Sequence, residues 1–524
     1  MFKRAASFKF LLKCCGSKVF VRHQTGGSCD VEKKGLVLGV YEGCCPGEFK
    51  LTPAADKFDK CVDGKITALL QGIKLRRNKA YVFGNVGDEF FQVAVANLGP
   101  ESVGENPAEG LEQCRENIRT AVGLGTTALQ DQGLTRIYVE EFTNAEAAAE
   151  GAALAVWTYQ DWKNKEDRIA EAKIEPFGIQ DDEGWRVGLL KANAQNIARG
   201  IQEAPSNLMS PILICRYAAE LLCPCGTKVD LWDKNWLEAN KFSAFLSMAK
   251  GSCEPPALLQ LSYCGGNPDE KPILMVGKNA TFDSGGVNLK RCGDLSLERA
   301  DISSAAVTIA VFRAVSQMQL PINLIAMIAL YENMPSGMAL KPGDVLMARN
   351  GKTILMEDVA LSGRIVSADL LTYIDGFQPC LVMHMGTTDT TASPVVGYPA
   401  TGVWSTSDIL WEELFRAGML TGDRFWRFPI WKYFRTRIKD HGGTDTSNRG
   451  RGHGKPQMLT PFLLEFAPPC VDLVHFDLTD TGRAARGLIM PYLRKGLMTG
   501  RPTRPLIQFL YRVACPHDPF SVCC

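Results

Sequence analysis

No apolar run in this 524-residue chain approaches the roughly 20 residues that span a bilayer, so no membrane helix is predicted. Charge of one sign is not in excess either: 58 Lys and Arg face 57 Asp and Glu, a formal net charge of +1. That balance offers no electrostatic footprint for nucleic acid or an anionic membrane surface. Histidine is scarce, with six dispersed residues. The 18 cysteines are many, yet no pair of C-x-x-C units exists among them. Cys14-Cys15, Cys44-Cys45 and Cys523-Cys524 are adjacent, and Cys223-Pro-Cys225 is too tight for a zinc knuckle. Cysteine–histidine zinc binding is disfavoured.

Acidic residues are missing altogether from Met1 to Cys29, where Lys3, Arg4, Lys9, Lys13, Lys18 and Arg22 lie among Phe8, Phe10, Leu11 and Leu12. A basic, acid-free, weakly amphipathic leader, its apolar stretch broken by charge, predicts a mitochondrial transit peptide over 1–29. A basic tail on a cytoplasmic protein is the alternative.

What is present is ordinary globular composition, 46% hydrophobic and 22% charged, in a chain long enough for two domains. Strands are predicted at Lys34–Tyr41, Tyr81–Val86, Phe90–Ala96 and Arg136–Val139, alternating with helices at Glu112–Ala128 and from an Asn144 cap to about Asp161. The charge-rich segment Lys163–Gly184 is the best boundary, followed by a connecting helix near Trp185–Gln202. The second half alternates again, with strands near Leu258–Tyr263, Ile273–Val276, Ile322–Leu330, Leu381–Met385 and Val471–Phe476. Helices are predicted near Pro211–Leu222, Ala300–Met318, Ala368–Phe377, Asp408–Met419 and Leu506–Val513. The organisation expected is an α/β N-terminal domain over 30–184, a linker helix over 185–205, a larger α/β domain over 206–514, and a tail over 515–524.

Chemistry concentrates in Val276-Gly-Lys-Asn-Ala-Thr-Phe-Asp-Ser-Gly-Gly-Val-Asn-Leu-Lys290 and the following Asp301. Lys278 is expected to end a strand, at the sheet edge where open α/β folds place ligands. Asp283-Ser-Gly-Gly286 is a turn whose glycines admit close approach. Asp301 opens a helix, where a carboxylate is favourable. The bland reading is a capping aspartate and two solvated lysines; spacing alone does not separate the two.

This segment resembles the leucine aminopeptidase (cytosol aminopeptidase) family, and the likeness runs from about Lys34 to Arg512. It is carried also by Glu116-Asn-Ile-Arg119, Ala147-Ala-Ala-Glu-Gly151, Ala249-Lys-Gly251 with Glu254-Pro-Pro256, Glu332-Asn-Met-Pro-Ser-Gly337 and Lys341-Pro-Gly-Asp344. Arg349-Asn-Gly-Lys-Thr353, Pro491-Tyr-Leu-Arg-Lys-Gly496 and Met498-Thr-Gly-Arg-Pro-Thr-Arg504 complete it. The resemblance implies a two-domain α/β fold with a smaller N-terminal domain, a larger C-terminal catalytic-type domain around a mixed sheet, and a homohexamer. It also implies two divalent metals, zinc or manganese, that hydrolyse N-terminal residues from peptides. Carried over by position, Lys278, Asp283 and Asp301 match metal ligands. Lys290 matches the lysine that polarises the substrate carbonyl, and Arg364 the arginine that holds a bicarbonate.

One motif departs. The family reads Asn-Thr-Asp-Ala-Glu-Gly-Arg where this chain reads Asp358-Val-Ala-Leu-Ser-Gly-Arg364. Ala360 therefore stands at an aspartate ligand position and Ser362 at that of the metal-bridging glutamate. Asp283 and Asp301 remain against Lys278, Lys290 and Arg364, net +1; two dications would raise this to +5 in a poorly hydrated cleft, which is costly. Full metal occupancy is not expected. Glu357 and Asp358 are displaced from the ligand positions. His384 and Asp389 fall in or beside Gly386-Thr-Thr-Asp-Thr-Thr391, where only Thr387 keeps the family's substrate-binding pattern. A mononuclear site from Asp283, Asp301 and Asp389 is a conceivable rebuild.

The leading expectation is a catalytically inactive homologue acting as a structural or assembly protein. It most resembles the insect sperm-leucylaminopeptidase group, whose members accumulate in sperm mitochondrial derivatives. The alternatives are an active leucyl aminopeptidase with a modified site, and a peptide- or anion-binding subunit using Lys290 and Arg364 in mixed hexamers.

Overall fold

The computed structural model describes residues 33–516 except 44, 46, 291–294, 388–392, 441 and 484–489. The expected leader, most of the expected tail, and Asp389 lie outside the described residues.

The first half is built on strands β1 (Lys34–Glu42), β2 (Ala80–Gly84), β3 (Gln92–Pro100), β4 (Arg136–Glu140) and β5 (Lys173–Phe177), in the order β2-β3-β1-β4-β5. β1 runs parallel to β3 and β4, and β4 parallel to β5, while β2 is antiparallel to β3. The runs Leu36–Val40 and Val93–Ala96 are buried throughout, as strands covered on both faces require. One face packs on helices α1 (Gln113–Asp131) and α2 (Ala145–Val156); the other packs on a cluster around Phe58, Ile66 and Phe90. Asn144 caps α2 through its side chain, as expected, but the helix stops at Val156, short of Asp161. Trp157 is already extended there, with the Arg199 guanidinium 4.0 Å over its ring. Within the charge-rich segment, residues 173–177 form the edge strand β5.

Helix α3 (Asp182–Glu203), capped by the Asp181 side chain, leads into the second half. There α4 (Pro211–Leu222) is followed by β6 (Lys228–Trp232), β7 (Ala257–Cys264), β8 (Ile273–Asp283), α5 (Ser303–Met318), β9 (Asn323–Asn333) and α6 (Ser362–Tyr373). After these come β10 (Leu381–Gly386), β11 (Ala400–Ser405), α7 (Asp408–Thr421), β12 (Arg424–Arg427), β13 (Asp472–Asp477) and α8 (Thr503–Ala514). The eight strands form one mixed sheet in the order β12-β11-β13-β10-β8-β9-β7-β6. β8 is parallel to both its neighbours, β9 and β10. Helices α3, α5 and α8 pack one face through Ala198, Ile309 and Phe509, and α6 packs the other through Ile365 and Leu370. This is the expected two-domain α/β fold. No helix among the described residues is long and apolar enough to cross a membrane.

Several sequence motifs meet between the halves. Glu150 of α2 is fully buried and accepts from Arg119 Nε of α1 at 2.6 Å and from Arg504 Nη1 of α8 at 2.7 Å. Tyr492 donates to Glu116 at 3.0 Å, and Arg504 also bonds Gln195 of α3 at 2.6 Å and the Thr421 carbonyl at 2.8 Å. A buried carboxylate shared by an arginine from each half ties the two halves together, because removing it leaves the buried Arg504 without its carboxylate partner.

Candidate functional site

β8 extends beyond the predicted end at Val276 to Asp283, so Lys278 lies mid-strand rather than at a strand end. Pairing with β10 ends at Gly277, which frees the chain beyond it, and a register shift between Ala280 and Phe282 re-aims the strand. Gly285 and Gly286 then adopt φ of 91° and 63°, a left-handed turn that returns Lys290 toward Asp283. Asp301 sits in a 3-10 turn, Leu295–Ile302, ahead of α5; no side chain caps that helix, so the expected capping role is not what holds Asp301.

These elements bring Lys278, Asp283, Lys290, Asp301, Ser362 and Thr387 together. The Lys278 ammonium bonds Asp301 Oδ2, lies 3.6 Å from Asp283 Oδ2, and donates to the Thr387 carbonyl at 3.3 Å. Lys290 Nζ lies 3.3 Å from Asp283 Oδ2. Asp283 Oδ1 accepts from the Gly285 amide at 2.9 Å and from Asn333 Nδ2 at 2.7 Å; Oδ2 accepts from Ser362 Oγ at 3.1 Å. Lys278, Asp283, Asp301 and Ser362 are all buried. Burial alone would raise the Asp283 carboxyl, but Lys290 and Lys278 with the Asn333 and Gly285 bonds hold it below its ordinary value. Burial would lower both ammonium groups; Asp301 and Asp283 instead hold Lys278 above its ordinary value, and Asp283, Asp301 and Glu298 do so for Lys290.

Helix α6 begins at Ser362, six residues before the predicted start, because its first turn is packed under the sheet. Ser and Gly are weak helix formers, and tertiary burial overrides them here. A Cβ on Gly363 would meet Lys278 Cδ at 2.9 Å, so glycine is what lets the lysine stem pass. Ala360 lies on the preceding turn, its amide donating to Asp358 Oδ1 at 3.0 Å. Asp358 also accepts from Asn288 at 2.8 Å, and Glu357 is bonded by Ser447, so both displaced carboxylates are committed elsewhere. Arg364 is fully buried on α6, where its charge helps hold His475 neutral after burial and His384. His384 is buried behind the site: its Nδ1 lies 2.7 Å from His475 Nδ1, its Nε2 2.7 Å from Ser367 Oγ, and burial pushes its pKa down to about 3.

Sequence reading missed three contributors. Asn333 is in register with Asp283 on the neighbouring strand, a placement that strand pairing alone would have revealed. Tyr331 meets Ser362 Oγ at 2.8 Å. Glu298, on the same 3-10 turn as Asp301, accepts from Lys290 at 2.7 Å and from Arg483 at 2.8 Å. Among the described residues, no cluster of three or more His, Cys, Asp or Glu is placed to hold a metal ion.

The model of the cytosol aminopeptidase family catalytic domain matches residues 196–507, and that of the family's N-terminal domain matches residues 37–166. This chain belongs to the cytosol aminopeptidase family. Cytosol aminopeptidase of Bos taurus is 38% identical over 486 residues, covering 91% of this chain and 92% of that one. Cytosol aminopeptidase of Dictyostelium discoideum is 32% identical over 496 residues, covering 91% and 93%. Among solved structures, the bottromycin maturation enzyme BotP in complex with Mn has a TM-score of 0.78 at 23% identity, covering 92% of this chain and 100% of that one; at that identity it shows the fold alone. The cytosol aminopeptidase family is metal-dependent, which makes the donor set around Asp283 the part of the fold that decides function.

Proposed function

We propose that this chain is a non-catalytic cytosol aminopeptidase homologue that keeps the family fold without its two-metal chemistry. The observation that carries this reading is the closure of the site on itself. Asp283 is bonded by Ser362, Asn333 and Gly285 and faced by two ammonium groups, while Asp301 is held by Lys278. Asp283, Asp301 and Glu298 balance Lys278, Lys290 and Arg483 before Arg364 is counted. Two dications would have to displace ammonium groups from these carboxylates, and would meet a methyl at Ala360 and a hydroxyl at Ser362. The residues present therefore do not fit a pair of metals, and no hydrolytic step runs through them. On this reading Lys290 and Arg364 are vestigial, and Thr387 serves Lys278 rather than a substrate.

Such a protein acts through its fold and assembly, as a homohexamer or within mixed hexamers of homologous subunits. The basic leader supports a mitochondrial address, and the likeness to the insect sperm group supports a structural role in sperm mitochondrial derivatives.

The extent of the likeness to cytosol aminopeptidases favours a second reading, an active leucyl aminopeptidase with a modified metal site. Purified protein supplied with manganese or zinc and a leucyl amide separates the two. The expected rate equals that of Asp283→Ala; hydrolysis well above that control would sink the non-catalytic reading.

A further inference from the structure

Glu298 is only 2% exposed, yet its two oxygens go to two different cations presented by distant parts of the chain. Oε2 accepts from Lys290 Nζ at 2.7 Å and Oε1 from Arg483 Nη2 at 2.8 Å. Both cations are more open than the carboxylate they hold, with 19% of each side chain exposed. The neighbouring Arg299 turns away to Glu203 at 2.9 Å and does not compete for Glu298. A carboxylate gripped from two sides by a lysine and an arginine is how proteins hold a bound carboxylate or phosphate.

We propose that Lys290 and Arg483 form a binding site for small oxyanions whose resident ligand is Glu298, which keeps carboxylates and phosphates out of the cleft. The inference rests on reading the site as metal-free and deepens it by naming what closes the cleft. An internal ligand on the same turn as Asp301 acts at high effective concentration, so external anions compete poorly. Taking away its charge without changing its shape leaves Lys290 with Asp283 at 3.3 Å and Arg483 without the carboxylate that held it. An external oxyanion then restores the balance that Glu298 supplied.

The experiment uses full-length protein dialysed against a chelator, with inorganic phosphate as the probe. Wild type, Glu298→Gln, and Glu298→Gln combined with Lys290→Met are titrated by calorimetry, and their melting is compared in phosphate and in chloride at equal ionic strength. The expected result is no saturable binding to wild type, one phosphate bound by Glu298→Gln at least about tenfold more tightly than the weakest binding the titration detects, and loss of that binding in the double variant. Glu298→Gln alone is expected to melt higher in phosphate than in chloride. Unchanged phosphate affinity in Glu298→Gln, or binding that survives Lys290→Met, overturns the proposal. Should Glu298→Gln fail to fold, Glu298→Leu carries the same expectation. In wild type, saturable binding that Lys290→Met removes overturns it directly. Metal content and leucyl amide hydrolysis, read on the same preparations before dialysis, report separately on the non-catalytic reading. Metal-loaded, active wild type would defeat that reading while the dialysed titration still decides this one.

Discussion

Ser362 donates its hydroxyl to Asp283 Oδ2 at 3.1 Å, and Ser362 Oγ itself lies 2.8 Å from the Tyr331 phenol. A neutral donor thus occupies the place where the family resemblance sets a metal-bridging carboxylate. Returning a carboxylate there sets like charges together in a buried, metal-free site. Ser362→Glu is expected to lose about 2–4 kcal/mol of stability in chelator, read by denaturant unfolding. With Ala360→Asp added, manganese or zinc is expected to raise the melting temperature, whereas wild type is expected not to respond.

Glu150 makes the opposite case, a buried carboxylate shared by two arginines, of which Arg119 would keep Glu116 at 3.1 Å while Arg504 would lose its carboxylate. Arg119 and Arg504 are both fully buried against it. Glu150→Gln keeps the shape and drops the charge, and is expected to cost about 3–5 kcal/mol in urea unfolding. A cost under about 1 kcal/mol would mean the two halves are held mainly by apolar contacts.

How much of this was legible in the sequence depends on what kind of signal each residue gives. Pro211–Leu222 was read at its true bounds because proline at the first turn and apolar periodicity agree there. The strands β6, β11 and β12 were missed: they are four to six residues long and lie at or near the sheet edge, where pattern is weak. Lys278, Asp283 and Asp301 were found through a motif, and the structure does bring them together. Glu298 was not found, because a lone glutamate three positions before Asp301 looks like a solvated helix residue until Arg483 arrives from a segment 185 residues away. His384 could be weighed as a substitute ligand from sequence, but its pairing with His475 depends on the register of β10 and β13.

Glu140 gives a pH dependence of its own. Burial raises its carboxyl from the ordinary 4.5 to about 8, against the bonds from Thr52 and Gly39, and the Glu141 charge adds to the rise. Burial raises the nearby Tyr41, and the Glu140 charge adds a little to that rise. The folded chain therefore keeps a proton that the unfolded chain releases near 4.5, so this group's contribution falls as pH rises from about 4.5 to about 8 and is level above. Glu140→Gln is expected to remove that slope and to exceed wild type by about 1–3 kcal/mol at alkaline pH, measured as unfolding free energy against pH. Parallel curves for the two proteins would contradict a protonated Glu140.

The most direct test of the central claim is elemental analysis of the purified wild-type protein after exposure to excess zinc and manganese and removal of free metal. Closure of the site by Lys278, Lys290, Ser362 and Glu298 predicts far less than one equivalent of metal per chain. Two tightly held equivalents per chain would contradict it.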